Sequence, residues 1–400
     1  MVPKNLFFAT AFTALEILLF SCGCGRPRSE GLQRRFAEWY VGLSDRDHAA
    51  LVEADLSPRE LDSIAHAARP QKTATGKLIR TLRDGNGTEY NVGIYCPHEI
   101  PSTKRLPLII YLHGGIGTTL NTKGEHAYEM LMPLTDSIPL LLASPSANRH
   151  TPWWSYDGME RILQTVRYMT LHYPVDPDRI VTAGVSDGAT GAYAVANAAC
   201  GPFAGFIAVS GFGGMLPRLG MQLVPDNLMQ RPIYNVNAGK DHLYPIKHVN
   251  AFLDRLDANG VGLVRKDYPD EKHGFDYRDK EWASLVKLLR RWRRPASTGI
   301  AWTFIPGVPN YPPGLAAWKA PKKAAIIRGH WERNLLHLSA SGLTSVCFAV
   351  PDTTPKGYRV AIKGSRGKMH ANASTEHYLS YMRIRCRPSV GSHGIIRISF

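Results

Sequence analysis

Five short apolar runs, "PLIIYLHGG", "PLLLASPSA", "RIVTAGVS", "FAGFIAVSG" and "IYNVNAG", each end in small residues. Amphipathic stretches lie between or after them: "MERILQTVRYMTLHY", "GATGAYAVANAA", "HVNAFLDRLDANG" and "KEWASLVKLLRRW". A strand that is apolar throughout, rather than at every second residue, has to be covered on both faces, and interposed helices supply that cover. The alternation therefore predicts a mainly parallel sheet with helices on both faces, an α/β architecture. Ligand sites in such sheets form beyond the carboxyl ends of the strands, where each of these runs turns into small residues.

The rest of the chain divides around this core. A length of 400 residues exceeds one typical domain, and a hydrophobic fraction of 44% with 20% charged residues is that of a globular protein. Residues 1–22 read as an export signal: Lys4 forms a positive start, and "LFFATAFTALEILLF" is an apolar stretch of h-region length. That run is too short, and with Glu16 too charged, for a membrane-spanning helix. Leu19-Phe20-Ser21-Cys22 resembles a bacterial lipobox, which implies lipidation of Cys22 and attachment to a membrane; an ordinary cleaved signal is the alternative. Either way the expected location is outside the cytoplasm: periplasmic, outer-membrane or secreted.

Residues 23–72 read as a helical extension, with Ser57-Pro58-Arg59-Glu60 combining an N-cap serine, a proline at the first helical position and a glutamate two residues on. The α/β segment is expected over 73–295, opening with "KLIRTLRDGNGTEYNVGIYCP", a hairpin turning at Asp84-Gly85-Asn86-Gly87. After the basic linker "RRWRRPASTG", residues 296–400 are short β-type runs separated by Gly, Pro and Ser, a small all-β module. From Ala301 to Phe400 there are 14 Lys+Arg against 3 Asp+Glu, a balance of +11 within the chain's +15. A basic surface of this kind attracts anionic polymers or membrane headgroups. The charges are scattered and no nucleic-acid module signature is present, so nucleic-acid binding is not expected. Cys347 and Cys386 could bridge within the module if the chain is exported, or remain free thiols. No His/Asp/Glu cluster suggests a metal and no glycine-rich loop suggests a nucleotide, so no cofactor is expected.

The chemistry concentrates at Gly184-Val185-Ser186-Asp187-Gly188, of the form G-x-S-x-G. A nucleophile elbow needs a strand, a tight turn and a helix, and Arg179–Ala183 followed by Ala189–Ala199 supplies both flanks. A serine hydroxyl is inert without a base to take its proton. On this topology the acid and base follow the serine in that order. Asp241, in "NAGKDHLYP", lies just past an apolar run, and His273, in "YPDEKHGFDY", precedes the last helix. His242 and His248 compete with His273, and Asp270 and Glu271 with Asp241, but these carboxylates sit too near His273 to arrive from the preceding strand end. The "YLHGGIGT" turn after Leu108–Leu112 brings glycine backbone to the same edge, so Gly115 N–H and Asp187 N–H are the expected oxyanion donors. His113, beside this turn, reads as structural. Ile116, Trp153, Trp154 and His242 are candidate walls of a substrate pocket.

Residues 105–295 resemble an α/β-hydrolase of the esterase type. The resemblance is to the secreted esterase, polyhydroxybutyrate-depolymerase-like and dienelactone-hydrolase-like group, carried by "YPVDPDRIVTAGVSDGATGAY", "HGGIGT" and "KHGF". It implies Ser186 as nucleophile, Asp241 as acid, His273 as base, and an ester substrate, polymeric or small. Serine at position 186 departs from dienelactone hydrolases proper, which use cysteine. Two other functions fit the residues: an amidase or peptidase on the same triad, and a binding protein that recognises its partner through the basic β-module.

Overall fold

The computed structural model describes residues 25–349, apart from 55, 57, 71, 101–104, 296–298, 320–323 and 334, together with 359–363, 368–371 and 395–399. The signal segment and Cys22, the N-cap Ser57 and Cys386, one half of the Cys347–Cys386 pairing, lie outside these residues. Among the described residues no helix is long and apolar enough to cross a membrane.

Three helices open the chain: α1 (Gly25–Gly42), α2 (Asp45–Glu53) and α3 (Pro58–Ala67). The expected hairpin follows as β1 (Gly76–Arg83) and β2 (Glu89–Cys96). Then come β3 (Leu106–Leu112), β4 (Leu141–Pro145), α4 (Tyr156–His172), β5 (Val175–Val185), α5 (Asp187–Ala198) and β6 (Gly205–Val209). The segment ends with α6 (Pro225–Leu228), β7 (Ile233–Ala238), α7 (Ile246–Ala258), β8 (Leu263–Tyr268) and α8 (Arg278–Arg291). The eight strands form one sheet in the order β1-β2-β4-β3-β5-β6-β7-β8. β2 is antiparallel to β1 and β4, and every other neighbouring pair is parallel. This order and sense is the α/β-hydrolase fold, as the sequence predicts.

Strand burial follows from composition. "LPLIIYL" of β3, "LLASP" of β4 and "GFIAV" of β6 are buried at every position. Helices α4 and α5 bring Ile162 and Tyr193 onto one face against Ile110 and Leu112, while α8 covers Ile109, Val181, Ile207 and Val236 on the other. β8, at the sheet edge, has no fully buried residue, and its charged "LVRKDY" pattern is what an edge strand can carry. Inside the sheet-helix layer, Arg161 is almost completely buried and is held by both guanidinium contacts to Asp84 Oδ2, at 2.8 and 3.1 Å. The Asp84 turn residue of the first hairpin is thereby fixed against α4.

The N-terminal helices dock on the back of α4. Phe36, Trp39 and Tyr40 cluster with Leu171, Tyr40 Oη lies 3.0 Å from Thr170 Oγ1, and Arg167 donates to the Val41 carbonyl at 3.1 Å.

The C-terminal strands are β9 (Gly299–Phe304), β10 (Leu315–Lys319), β11 (Ala325–Glu332), β12 (Leu335–Ser341), β13 (Ser345–Ala349), β14 (Arg359–Lys363), β15 (Lys368–Ala371) and β16 (Ile395–Ser399). They form two four-stranded sheets, β14-β12-β11-β9 and β10-β13-β16-β15. This all-β part is not a free appendage. Trp302, Phe304, Leu315 and Ile327 belong to the same buried cluster as Phe203 and Val224 of the hydrolase part. Asn227 of α6 pairs with Thr303 as a strand would, donating to its carbonyl at 2.8 Å and accepting from its N–H at 2.9 Å. Gly201 and Tyr311 add two backbone bonds at the C-terminal end of α5, Gly201 N–H to Tyr311 O and Tyr311 N–H to Ala198 O. Composition distinguishes the two parts, but the apolar core runs through both.

Candidate active site

Strand β5 ends at Val185 and α5 begins at Asp187, leaving Ser186 alone to make the turn. It does so at φ 58° and ψ −121°, left-handed backbone that a side chain normally avoids. Two glycines permit this. A methyl on Gly184 would overlap the Gly188 carbonyl, and one on Gly188 would overlap the carbonyl of Leu112 at the end of β3. The outer positions of G-x-S-x-G are thus fixed by backbone crowding. The Ser186 N–H is tied to Val209 O of β6 at 2.9 Å.

Asp241 follows β7, and His273 follows β8, so both loops emerge at the same sheet edge as the elbow. Their loops are stitched together by Gly239 N–H to Tyr268 O and Lys240 N–H to Glu271 O, each 2.8 Å. His273 Nε2 lies 3.0 Å from Ser186 Oγ, and its Nδ1 lies 2.8 Å from Asp241 Oδ2. The Asp241 side chain is 1% exposed and that of His273 is 23% exposed. Oδ1 of Asp241 accepts the N–H groups of Leu243 and Tyr244, both at 2.8 Å, so the carboxylate is held from two sides. The competing acids point elsewhere: Asp270 pairs with Lys240 and Glu271 with Lys280 on the surface. His242 and His248 are exposed, and neither makes a bond to Ser186.

The turn after β3 approaches the serine closely. A Cβ on Gly114 would come within 2.9 Å of Ser186 Cβ, and Gly115 takes a left-handed φ of 62°. Neither the Gly115 N–H nor the Asp187 N–H bonds an acceptor among the described residues. Lys123 Nζ donates to the Gly115 carbonyl at 2.6 Å and holds that peptide in orientation.

Two of the expected pocket walls are corrected. Trp153 is completely buried, its indole N–H donates to the His113 carbonyl at 3.0 Å, and its ring lies against Gly191 of α5. It is tied to the glycine turn and presents no surface to a substrate. Ile116 is likewise turned into the core at 6% exposure, and takes part through its N–H, which donates to Asp187 Oδ2 at 3.0 Å. Trp154 is half-buried and His242 exposed, so both remain accessible. Sequence reading missed Tyr244, whose ring stacks on His273 with centroids 5.7 Å apart and planes at 27°. Its position three residues after Asp241 belongs to no motif, and only the fold brings it to the histidine.

His113 is structural, as expected. Its Nε2 accepts the Ala147 N–H at 3.1 Å, which puts the ring proton on Nδ1, 3.0 Å from the Gly114 carbonyl. Burial pulls its pKa down from 6.5 to about 4. The unfolded chain therefore takes up the proton first, and the folded state resists it. The stability tied to the neutral ring is complete above about pH 6.5 and is lost as pH falls toward about 4. That loss amounts to up to about 3 kcal/mol. Thermal melting of His113→Gln should consequently decline less between pH 7 and pH 4.5 than that of the wild type, and equal declines would rule this ring out as the source.

Among the described residues no group of three or more His, Cys, Asp or Glu side chains could hold a metal ion. Cys96 and Cys200 are buried free thiols.

Residues 147–296 match the dienelactone hydrolase family. Similar solved structures include a thermostable esterase (18% identity, 55% of this chain and 63% of that one, TM-score 0.45). An S-formylglutathione hydrolase from Staphylococcus aureus is similar at 15% identity, over 55% of this chain and 98% of that one, with a TM-score of 0.43. A ferulic acid esterase is similar at 16% identity, over 55% of this chain and 99% of its own length, with a TM-score of 0.44. The match thus spans less than two thirds of the thermostable esterase. No curated protein matches the chain.

Proposed function

We propose that this protein, whose residues 147–296 form a dienelactone hydrolase family domain, is a serine hydrolase that cleaves carboxylic esters through an acyl-enzyme on Ser186. The observation that carries this reading is the unbroken line from Ser186 Oγ through His273 to Asp241, at 3.0 and 2.8 Å. Ser186 attacks the ester carbonyl as His273 Nε2 takes its proton. The oxyanion that forms is received by Gly115 N–H and Asp187 N–H, donors of a kind worth about 2.7–4 kcal/mol each when aligned. His273 then passes the proton to the departing alcohol. A water, activated by the same nitrogen, attacks the acyl-enzyme and releases the acid. Asp241 keeps the His273 ring in the tautomer with Nε2 free to accept, and stabilises the imidazolium that forms in each half-reaction.

The bond is an ester in this reading because the matched family is one of ester-cleaving enzymes. A fluorophosphonate probe should modify the native full-length protein at one residue, Ser186, identifiable by peptide mass. In parallel assays short p-nitrophenyl acyl esters should be turned over and aminoacyl p-nitroanilides should not. Absence of labelling would leave the fold as a scaffold for binding through the β-part, and amide turnover at rates matching the esters would make the enzyme an amidase.

The remaining assignments are sequence-based. We assign residues 1–22 as an export signal, with Cys22 the lipidation position if the protein is anchored, and we take 23–72, 73–295 and 296–400 as the helical extension, catalytic segment and basic β-rich part. An enzyme so exported meets its ester substrate outside the cytoplasm.

A further inference from the structure

The residue after the nucleophile is an aspartate, and its carboxylate sits beside the position where an oxyanion would develop. A negative charge there opposes the chemistry unless it is occupied elsewhere. It is occupied. Asp187 Oδ2 accepts the Ile116 N–H at 3.0 Å, and Oδ1 lies 3.4 Å from Tyr244 Oη. The Ile116 N–H belongs to the glycine turn that carries Gly115, so this bond ties the two oxyanion donors into one rigid piece.

Tyr244 completes the connection on the other side. Its N–H is held by Asp241 Oδ1, its ring lies over His273 and makes a T-shaped contact with Phe212 at 6.1 Å between centroids, and its hydroxyl faces Ser186 and Thr190. One residue therefore touches the acid, the base and the elbow. Burial and the Asp187 charge push the phenol's pKa upward, so the hydroxyl stays protonated and remains a donor toward Asp187.

We propose that Asp187 and Tyr244 act as a single positioning unit, in which Asp187 locks the oxyanion turn to the nucleophile elbow and Tyr244 holds the His273 ring between Ser186 and Asp241. The unit presupposes the Ser186 ester chemistry proposed above. When His273 becomes the imidazolium, the face of the Tyr244 ring lies against it, an arrangement that favours the charged ring. Tyr244 is a positioning residue rather than a proton carrier, because its hydroxyl is not released.

Conservative and truncating variants separate positioning from bulk stability. Asp187→Ala removes the acceptor for Ile116 and should lower kcat for p-nitrophenyl acetate about 10–100-fold with KM within threefold, since donor misplacement of about 1 Å costs up to about 100-fold. Asp187→Asn keeps an oxygen for the Ile116 N–H and should recover most of that loss. Tyr244→Leu removes the stacked ring and should cost about 10-fold or more in kcat, whereas Tyr244→Phe keeps it and should be the milder change. Because the two residues act together, Asp187→Ala combined with Tyr244→Leu should lose much less than the product of the two single losses. The proposal is overturned if both Asp187→Ala and Tyr244→Leu keep wild-type kcat, if Asn is no better than Ala at position 187, or if the double variant loses the product of the two single losses. Ser186→Ala runs beside them as the reference. If that variant still turns over ester, the esterase reading itself fails; if it is dead while the positioning variants are fully active, only the positioning unit fails.

Discussion

Ser186→Ala should lower kcat/KM for p-nitrophenyl acetate by about 10⁴–10⁶-fold while leaving the protein folded. On the proposed mechanism the loss is large because the acyl-enzyme route disappears entirely. What remains is His273 as a general base for water beside the Gly115 and Asp187 donors, a residual catalysis of the kind that oxyanion donors and binding sustain without a nucleophile. The fold is expected to survive because the strain resides in the backbone. Alanine at φ 58° meets the same left-handed penalty as serine, and the crowding that requires Gly184 and Gly188 is unchanged. The Oγ bonds lost are those within the site, and the Ser186 N–H keeps its bond to Val209 O. The check is steady-state turnover alongside a melting curve. Turnover within tenfold of wild type, with an unchanged melting temperature, would sink Ser186 as nucleophile.

Asp241→Asn should cost about 10⁴ in kcat, and the structure indicates how. The Oδ1 site accepts two backbone N–H groups, from Leu243 and Tyr244, so the asparagine oxygen has to occupy it. The amide NH₂ is then forced toward His273 Nδ1, 2.8 Å from the present Oδ2. A donor in that place requires Nδ1 to accept, which moves the ring proton to Nε2. With Nε2 protonated, the ring faces Ser186 as a donor and cannot receive its proton. The substitution is nearly isosteric and stays hydrogen-bonded, so stability should change far less than activity. A variant that retained a tenth of wild-type kcat would show that another carboxylate serves His273. Asp270 and Glu271 are poor replacements, each being paired with a surface lysine.

Much of this site was legible in the chain order. The continuous apolar runs point to buried parallel strands because a half-exposed strand alternates, and G-x-S-x-G at a strand-to-helix junction points to an elbow because only glycine fits its two outer positions. Asp241 and His273, the proposed acid and base, were picked out by their order after Ser186 and by the apolar run and last helix beside them, and they lie within hydrogen-bond distance of each other. The Trp153 ring was read less well. An aromatic following a strand end can face a cleft or the core with the same local sequence, and the indole turned inward because the His113 carbonyl offered its N–H a buried acceptor. Strands β10 and β15 were not read either: "LAAWK" and "KMHA" are short and lack the alternation that marks a strand.

The sequence by itself determined the sheet, the elbow and the order of the three site residues, since each follows from periodicity or from backbone crowding over a few neighbouring positions. Only the tertiary structure decided that Asp187 reaches across to Ile116, that Tyr244 covers His273, and that the basic β-part shares its core with the hydrolase part. Those contacts join distant residues, 71 positions apart for Ile116 and Asp187 and 76 for Asn227 and Thr303. Nothing local encodes them, because each depends on which surfaces the folded sheet brings face to face.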